Sequence, residues 1–149
     1  DRGLFARLVT EKNIKFHFNA EEAYKHWKND FKIEIDSADE YDARAQSFLL
    51  SPIGSVANDF LADDAPEEAL ALLKDAETAI GYENIYSNYV FINWATIAFK
   101  AGDKTLGTQY LKKGIELTNT YQGDNEKLKS YLIVLCDRFE VKDLIPLIK

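Results

Sequence analysis

Two stretches of the chain can be laid over one another at a single offset. Ile53, Val56, Ala57, Phe60, Asp64, Ala69, Leu73 and Ala76 fall on Phe91, Trp94, Ala95, Ala98, Gly102, Gly107, Leu111 and Gly114, each pair 38 residues apart, as 69 and 107 are. Within each stretch the apolar positions recur every three or four residues on either side of a turn, which is the pattern of two amphipathic helices joined back to back. Small residues recur where a helix would cross its neighbour. A bulky side chain there holds two backbones apart, so Ala57, Ala69, Ala76, Ala95, Gly107 and Gly114 read as close-approach positions. A chain that repeats such a unit is constrained to a stack of helix pairs.

The helical signal begins at Asp39. Tyr41, Ala45, Phe48 and Leu49 make a first stripe, and Ser51-Pro52 has the form of an N-cap followed by proline at the first helical position, which starts a new helix. The competing account is one kinked helix running through Pro52. Ile53 to Leu61 carries the next apolar face; Asp64-Ala65-Pro66-Glu67 looks like a helix start, and Gly81 stands where that helix would end. Ser87 or Asn88 caps a helix expected to reach Lys100, and Ala101-Gly102-Asp103 breaks it. A partner runs from about Lys104 to Thr118, and Gln122-Gly123-Asp124-Asn125 is a turn cluster. The last long helix shows a regular stripe of Leu128, Tyr131, Leu132, Leu135, Cys136 and Phe139, and a short segment from Asp143 closes the chain.

Residues 1–38 read differently. Ile14, Phe16 and Phe18 alternate with polar residues, as do Phe31, Ile33 and Ile35, while Asn19 and Glu22 outline a capping box between them. Two accounts stand side by side: a small strand–helix–strand element, or extended linkers and irregular helix ends. The division expected is therefore an N-terminal element over 1–38 and a helical-repeat domain over 39–149.

The stretch Asn88 to Asn119, NYVFINWATIAFKAGDKTLGTQYLKKGIELTN, resembles one tetratricopeptide repeat. Phe91, Trp94 with Ala95, Gly102 with Asp103, Gly107, Leu111 and Gly114 fill the places that pattern requires. The stretch from Leu50 to Glu83 is a fainter copy, with Asp63-Asp64 in place of the turn glycine. The family period is about 34 residues, so about four more lie between pairs, around Glu83 to Ser87. There are departures: glycine replaces the usual second-helix alanines, Ala98 the mid-helix tyrosine, and Asn119 the terminal proline. The resemblance implies a mainly α fold of antiparallel helix pairs in a short right-handed superhelix, with residues from Leu128 onward as a degenerate capping pair. It also implies a groove lined by the first helix of each pair, where Tyr89, Ile92, Thr96, Phe99 and Lys100 sit, joined by Asn58 and Leu61 from the fainter copy. Packing of Tyr89, Ile92 and Phe99 against a neighbouring element is the other account of those side chains.

A second, looser resemblance rests on Asp1-Arg2-Gly3-Leu4, Arg7-Leu8-Val9, Ala20-Glu21-Glu22-Ala23-Tyr24 and Asn29-Asp30-Phe31-Lys32. These are similar to the stretch following the membrane spans in a bacterial multi-pass family of unknown function related to protein O-mannosyltransferases. It implies a soluble accessory tail of a membrane-embedded glycosyltransferase-like protein, extracytoplasmic in that case, with any transfer chemistry elsewhere. A chain that opens on Asp1 and contains no methionine is itself expected to be a piece of something longer.

Composition narrows the function further. Eighteen Lys and Arg face 25 Asp and Glu, a net charge of −7, which repels phosphate backbones and anionic lipid and argues against nucleic acid as the partner. No stretch has the ~18 apolar residues of a membrane span, so no membrane insertion within this chain is expected. Cys136, the only cysteine, lies on an apolar stripe and reads as a small core residue. His17 and His26 lack a third ligand at metal spacing. The acidic groups Glu34, Asp36, Asp39, Glu40, Asp42 and Asp63-Asp64 lack the alternation of a calcium loop and read as solvated faces. With no phosphate loop and no nucleophile elbow, the expectation is a non-catalytic module without cofactor or metal that binds a peptide or a partner domain.

Overall fold

The computed structural model describes residues 40–120 and 125–149, the side chains of 40–46, 48 and 49 excepted. The described chain is mainly helical, with no strand among its described residues. Helix α1 spans Glu40–Ala62, α2 Pro66–Ile80, α3 Asn88–Lys100, α4 Lys104–Thr120 and α5 Glu126–Arg138. Short 3₁₀ segments cover Tyr82–Asn84, between α2 and α3, and Lys142–Leu147, after α5. The alternating runs at 14–18 and 31–35, and the Gln122-Gly123-Asp124 part of the turn, lie outside the described residues.

Helix α1 does not restart at Ser51-Pro52; Pro52 lies inside one continuous helix. Proline gives up one backbone hydrogen bond there, yet Leu50, Ile53, Val56 and Ala57 on either side of it are all buried in one core. Keeping that stripe continuous outweighs the lost bond. Pro66, by contrast, takes the first turn of α2, where no N–H partner is needed. At the start of α3, the Ser87 side chain accepts from the Val90 amide at 3.4 Å, while Asn88 turns inward and donates to Thr118 Oγ1 at 3.1 Å. Helix α4 runs two residues further than its apolar pattern predicts.

The packing order follows the chain. α1 packs on α2 and α3, α3 packs most extensively on α4, and α5 packs on the closing 3₁₀ segment. At the centre, Phe91, Trp94 and Tyr110 meet in edge-on and tilted contacts at 5.8 to 6.4 Å between ring centres, and Tyr82 meets Phe91 edge-on at 5.1 Å. Tyr110 is fully buried, and its hydroxyl donates to Glu77 Oε2 at 2.5 Å, which ties α4 to α2. Burial and this carboxylate push the Tyr110 phenol well above its ordinary range.

Three helix ends share one turn. After α1, the amides of Asp63, Asp64 and Ala65 donate to the carbonyls of Asp59, Leu61 and Phe60 at 3.0, 3.3 and 2.8 Å. After α3, those of Ala101, Gly102 and Asp103 donate to Ile97, Phe99 and Ala98 at 2.9, 3.1 and 3.0 Å. After α5, those of Phe139, Glu140 and Val141 donate to Leu135, Asp137 and Cys136 at 3.0, 3.3 and 2.9 Å. The middle residue is left-handed each time, with φ of 58° at Asp64, 87° at Gly102 and 56° at Glu140, so each is a Schellman C-cap. Positions 64, 102 and 140 are two steps of 38. The helices obey the same interval: α1, α3 and α5 end at 62, 100 and 138, and the following segments start at 66, 104 and 142.

Candidate partner-binding surface

The positions of close approach are occupied as the small side chains require. Ala57, Ala69, Ala76, Trp94, Ala95 and Leu111 are buried in one core. A Cβ on Gly107 would lie 2.6 Å from Phe99 Cδ1, and one on Gly114 2.9 Å from Ile92 Cγ1 and 3.5 Å from the Asn88 carbonyl oxygen. Gly102 stands in open space; its φ of 87°, not crowding, is what favours glycine there.

The residues expected to line a groove separate into two groups. Tyr89 is 63% exposed, Lys100 is exposed, and Thr96, Asn58 and Leu61 are half-buried. Thr96 and Asn58 spend a polar group on their own helix, Thr96 Oγ1 donating to the Ile92 carbonyl at 3.0 Å and Asn58 Nδ2 to that of Gly54 at 2.8 Å. Ile92, at 4% exposure, is closed over by Gly114 and does not line an open surface. Phe99 stacks on Phe139 with ring centres 4.4 Å apart, so this half-buried ring joins α3 to the end of α5. The absence of a side chain at Gly107 is what leaves space for it.

Moving the outward α3 positions on by 38 reaches a set that includes one residue sequence periodicity misassigns. Positions 89, 93, 96 and 100 become Lys127, Tyr131, Val134 and Arg138 on α5. Tyr131, expected on the buried stripe, is 49% exposed, and Val134 is 59% exposed; the inner face is made instead by Leu132, Leu135 and Cys136. The stripe reads well as a run of apolar residues, but Tyr131 precedes Leu132 by one position and points about 100° away from it around the helix. The 38-residue interval, carried one step further, is the signal that would have found it.

Cys136 is buried, and desolvation together with Asp137 and Asp143 raises its thiol above the ordinary value, a setting opposite to that of a nucleophile. Among the described residues no group of His, Cys, Asp and Glu is placed to hold a metal ion. No described helix is long and apolar enough to cross a membrane. His17, His26, Glu34, Asp36, Asp39 and the residues of the looser resemblance lie outside the described residues, as do the side chains of Glu40 and Asp42. Comparison with family models, curated proteins and solved structures gives no match to this chain.

Proposed function

We propose that the chain is a tetratricopeptide-type helical-repeat module that binds a peptide or a partner domain and carries no catalysis of its own. The observation that supports this reading most is the recurrence, at 64, 102 and 140, of one left-handed turn with one set of hydrogen bonds. Recurring pairs bury their inner faces on each other and leave the outward positions of their first helices free for a ligand. On α3 those positions are Tyr89, Thr96 and Lys100, with Tyr89 as the aromatic anchor of the kind that dominates binding energy.

The test is selection of a random 12-residue peptide library on the immobilised 149-residue chain, followed by titration of the selected peptides. Tyr89→Ala is expected to weaken them about tenfold or more, the loss typical of an anchor, with unchanged helical circular dichroism. Failure to enrich any peptide, or affinity indifferent to every outward residue of the first helices, would count against the module.

A further inference from the structure

We infer that the outer stripe of α5, Lys127–Tyr131–Val134–Arg138, is a docking surface for an acidic peptide segment with an apolar centre. This deepens the module reading and rests on it. The four residues fall at i, i+4, i+7 and i+11, which places them in one line along the helix. All four are exposed, with the two apolar side chains between the two cations.

The charges indicate what would lie there. Helix α5 has two acids, and each is engaged elsewhere: Glu126 with Lys129 at 3.1 Å and Asp137 with Lys142 at 3.3 Å. Lys127 and Arg138 have no carboxylate within ion-pair distance among the described residues; Arg138 lies only over the Phe139 ring, at 5.6 Å. The wider distribution points the same way. From 50 to 87 there are eight Asp and Glu against one Lys, whereas from 88 to 149 there are nine Lys and Arg against seven Asp and Glu. The last two pairs are thus mildly cationic on a chain whose total is −7. A polyanion such as nucleic acid would meet the whole negative molecule; a short segment with few carboxylates meets mainly this stripe.

Eleven helical residues separate the cations by about 16 Å. An extended peptide crosses that distance in about five residues, so carboxylates about five apart, with an aromatic or aliphatic residue between them, would reach Lys127 and Arg138 while covering Tyr131 and Val134. The corresponding lines on α3 (Tyr89, Asn93, Thr96, Lys100) and α1 (Ser51, Ser55, Asn58, Ala62) lack a cation at their first position.

Peptides of the same 12-residue library provide the test. The expected winners carry acidic residues on both sides of an apolar centre and bind more weakly as salt rises. The double variant Lys127→Glu, Arg138→Glu, and separately Tyr131→Ala, should each raise Kd about tenfold or more. Lys112→Glu, an exposed α4 control, should leave it unchanged. Selection on the charge-reversed variant should return basic flanks. Winners without acidic flanks, or affinity indifferent to the reversal, overturn the proposal. Peptides that depend on Tyr89 but ignore the α5 variants would leave the module standing and remove only this assignment. A concentration-dependent dimer abolished by the reversal would give the stripe to a second copy and overturn the peptide.

Discussion

At the scale of single residues, the fold depends on side chains that are absent. Gly107 has no Cβ because one would sit 2.6 Å from the Phe99 ring, itself stacked on Phe139. Gly107→Leu should therefore destabilise the protein by about 1–3 kcal/mol in urea denaturation. Gly107→Ala should cost less, and Phe99→Leu in the same chain should recover part of that, since the two residues share one contact. Tyr110 offers a different test. Its phenol donates to Glu77 from full burial, so Tyr110→Phe should cost about 1.5 kcal/mol at neutral pH. The pH dependence has a definite sign. The folded phenol titrates above the unfolded value of 10.0, so its stabilisation is complete below pH 10. It is lost progressively as the pH rises beyond that, while the unfolded chain ionises first. The urea midpoint of the wild type should thus fall more steeply above pH 10 than that of Tyr110→Phe.

At the scale of elements, the three shared turns make a graded prediction. A left-handed residue with a Cβ costs on the order of 1–2 kcal/mol, partly offset because glycine has more freedom to lose. Glu140→Gly, at φ 56°, should therefore raise stability by up to about 1 kcal/mol. Asp64→Gly should gain less, since aspartate tolerates this region, and Gly102→Ala should lose about 1 kcal/mol; chemical denaturation midpoints rank the three. Cys136 reports on the same region: a buried thiol raised by desolvation should react with a thiol reagent at the rate at which α5 opens, and far faster in denaturant. The elements themselves were largely legible. The helix spanning Asn88–Lys100 and the starts at Pro66 and Lys104 follow from caps, proline and glycine. Of the two accounts of Ser51-Pro52, the continuous helix holds: local chemistry there matches a helix start, but burial of one stripe from Leu50 to Ala57 is a tertiary effect that decides against it.

For the whole molecule, the interval of 38 visible between two stretches of sequence extends to a third. Its third copy was hidden because Lys129, Ile133 and Glu140 replace the apolar, small and glycine residues at 91, 95 and 102. It is preserved by the backbone hydrogen bonds, by the φ at Glu140, and by buried Leu132, Leu135, Cys136 and Leu144, which lie 38 residues after Trp94, Ile97, Ala98 and Leu106. The candidate surface was legible in part: Tyr89 and Lys100 are exposed, but Ile92 is held under the helix crossing at Gly114 and Phe99 against Phe139. Those contacts come from partners distant in sequence, which periodicity alone does not supply. The most direct measurement is an amide NMR titration of the full chain with a selected acidic peptide. Shifts are predicted at 89, 93, 96 and 100 and, 38 residues on, at 127, 131, 134 and 138. Shifts confined to α2 and the outer face of α4 would contradict the account.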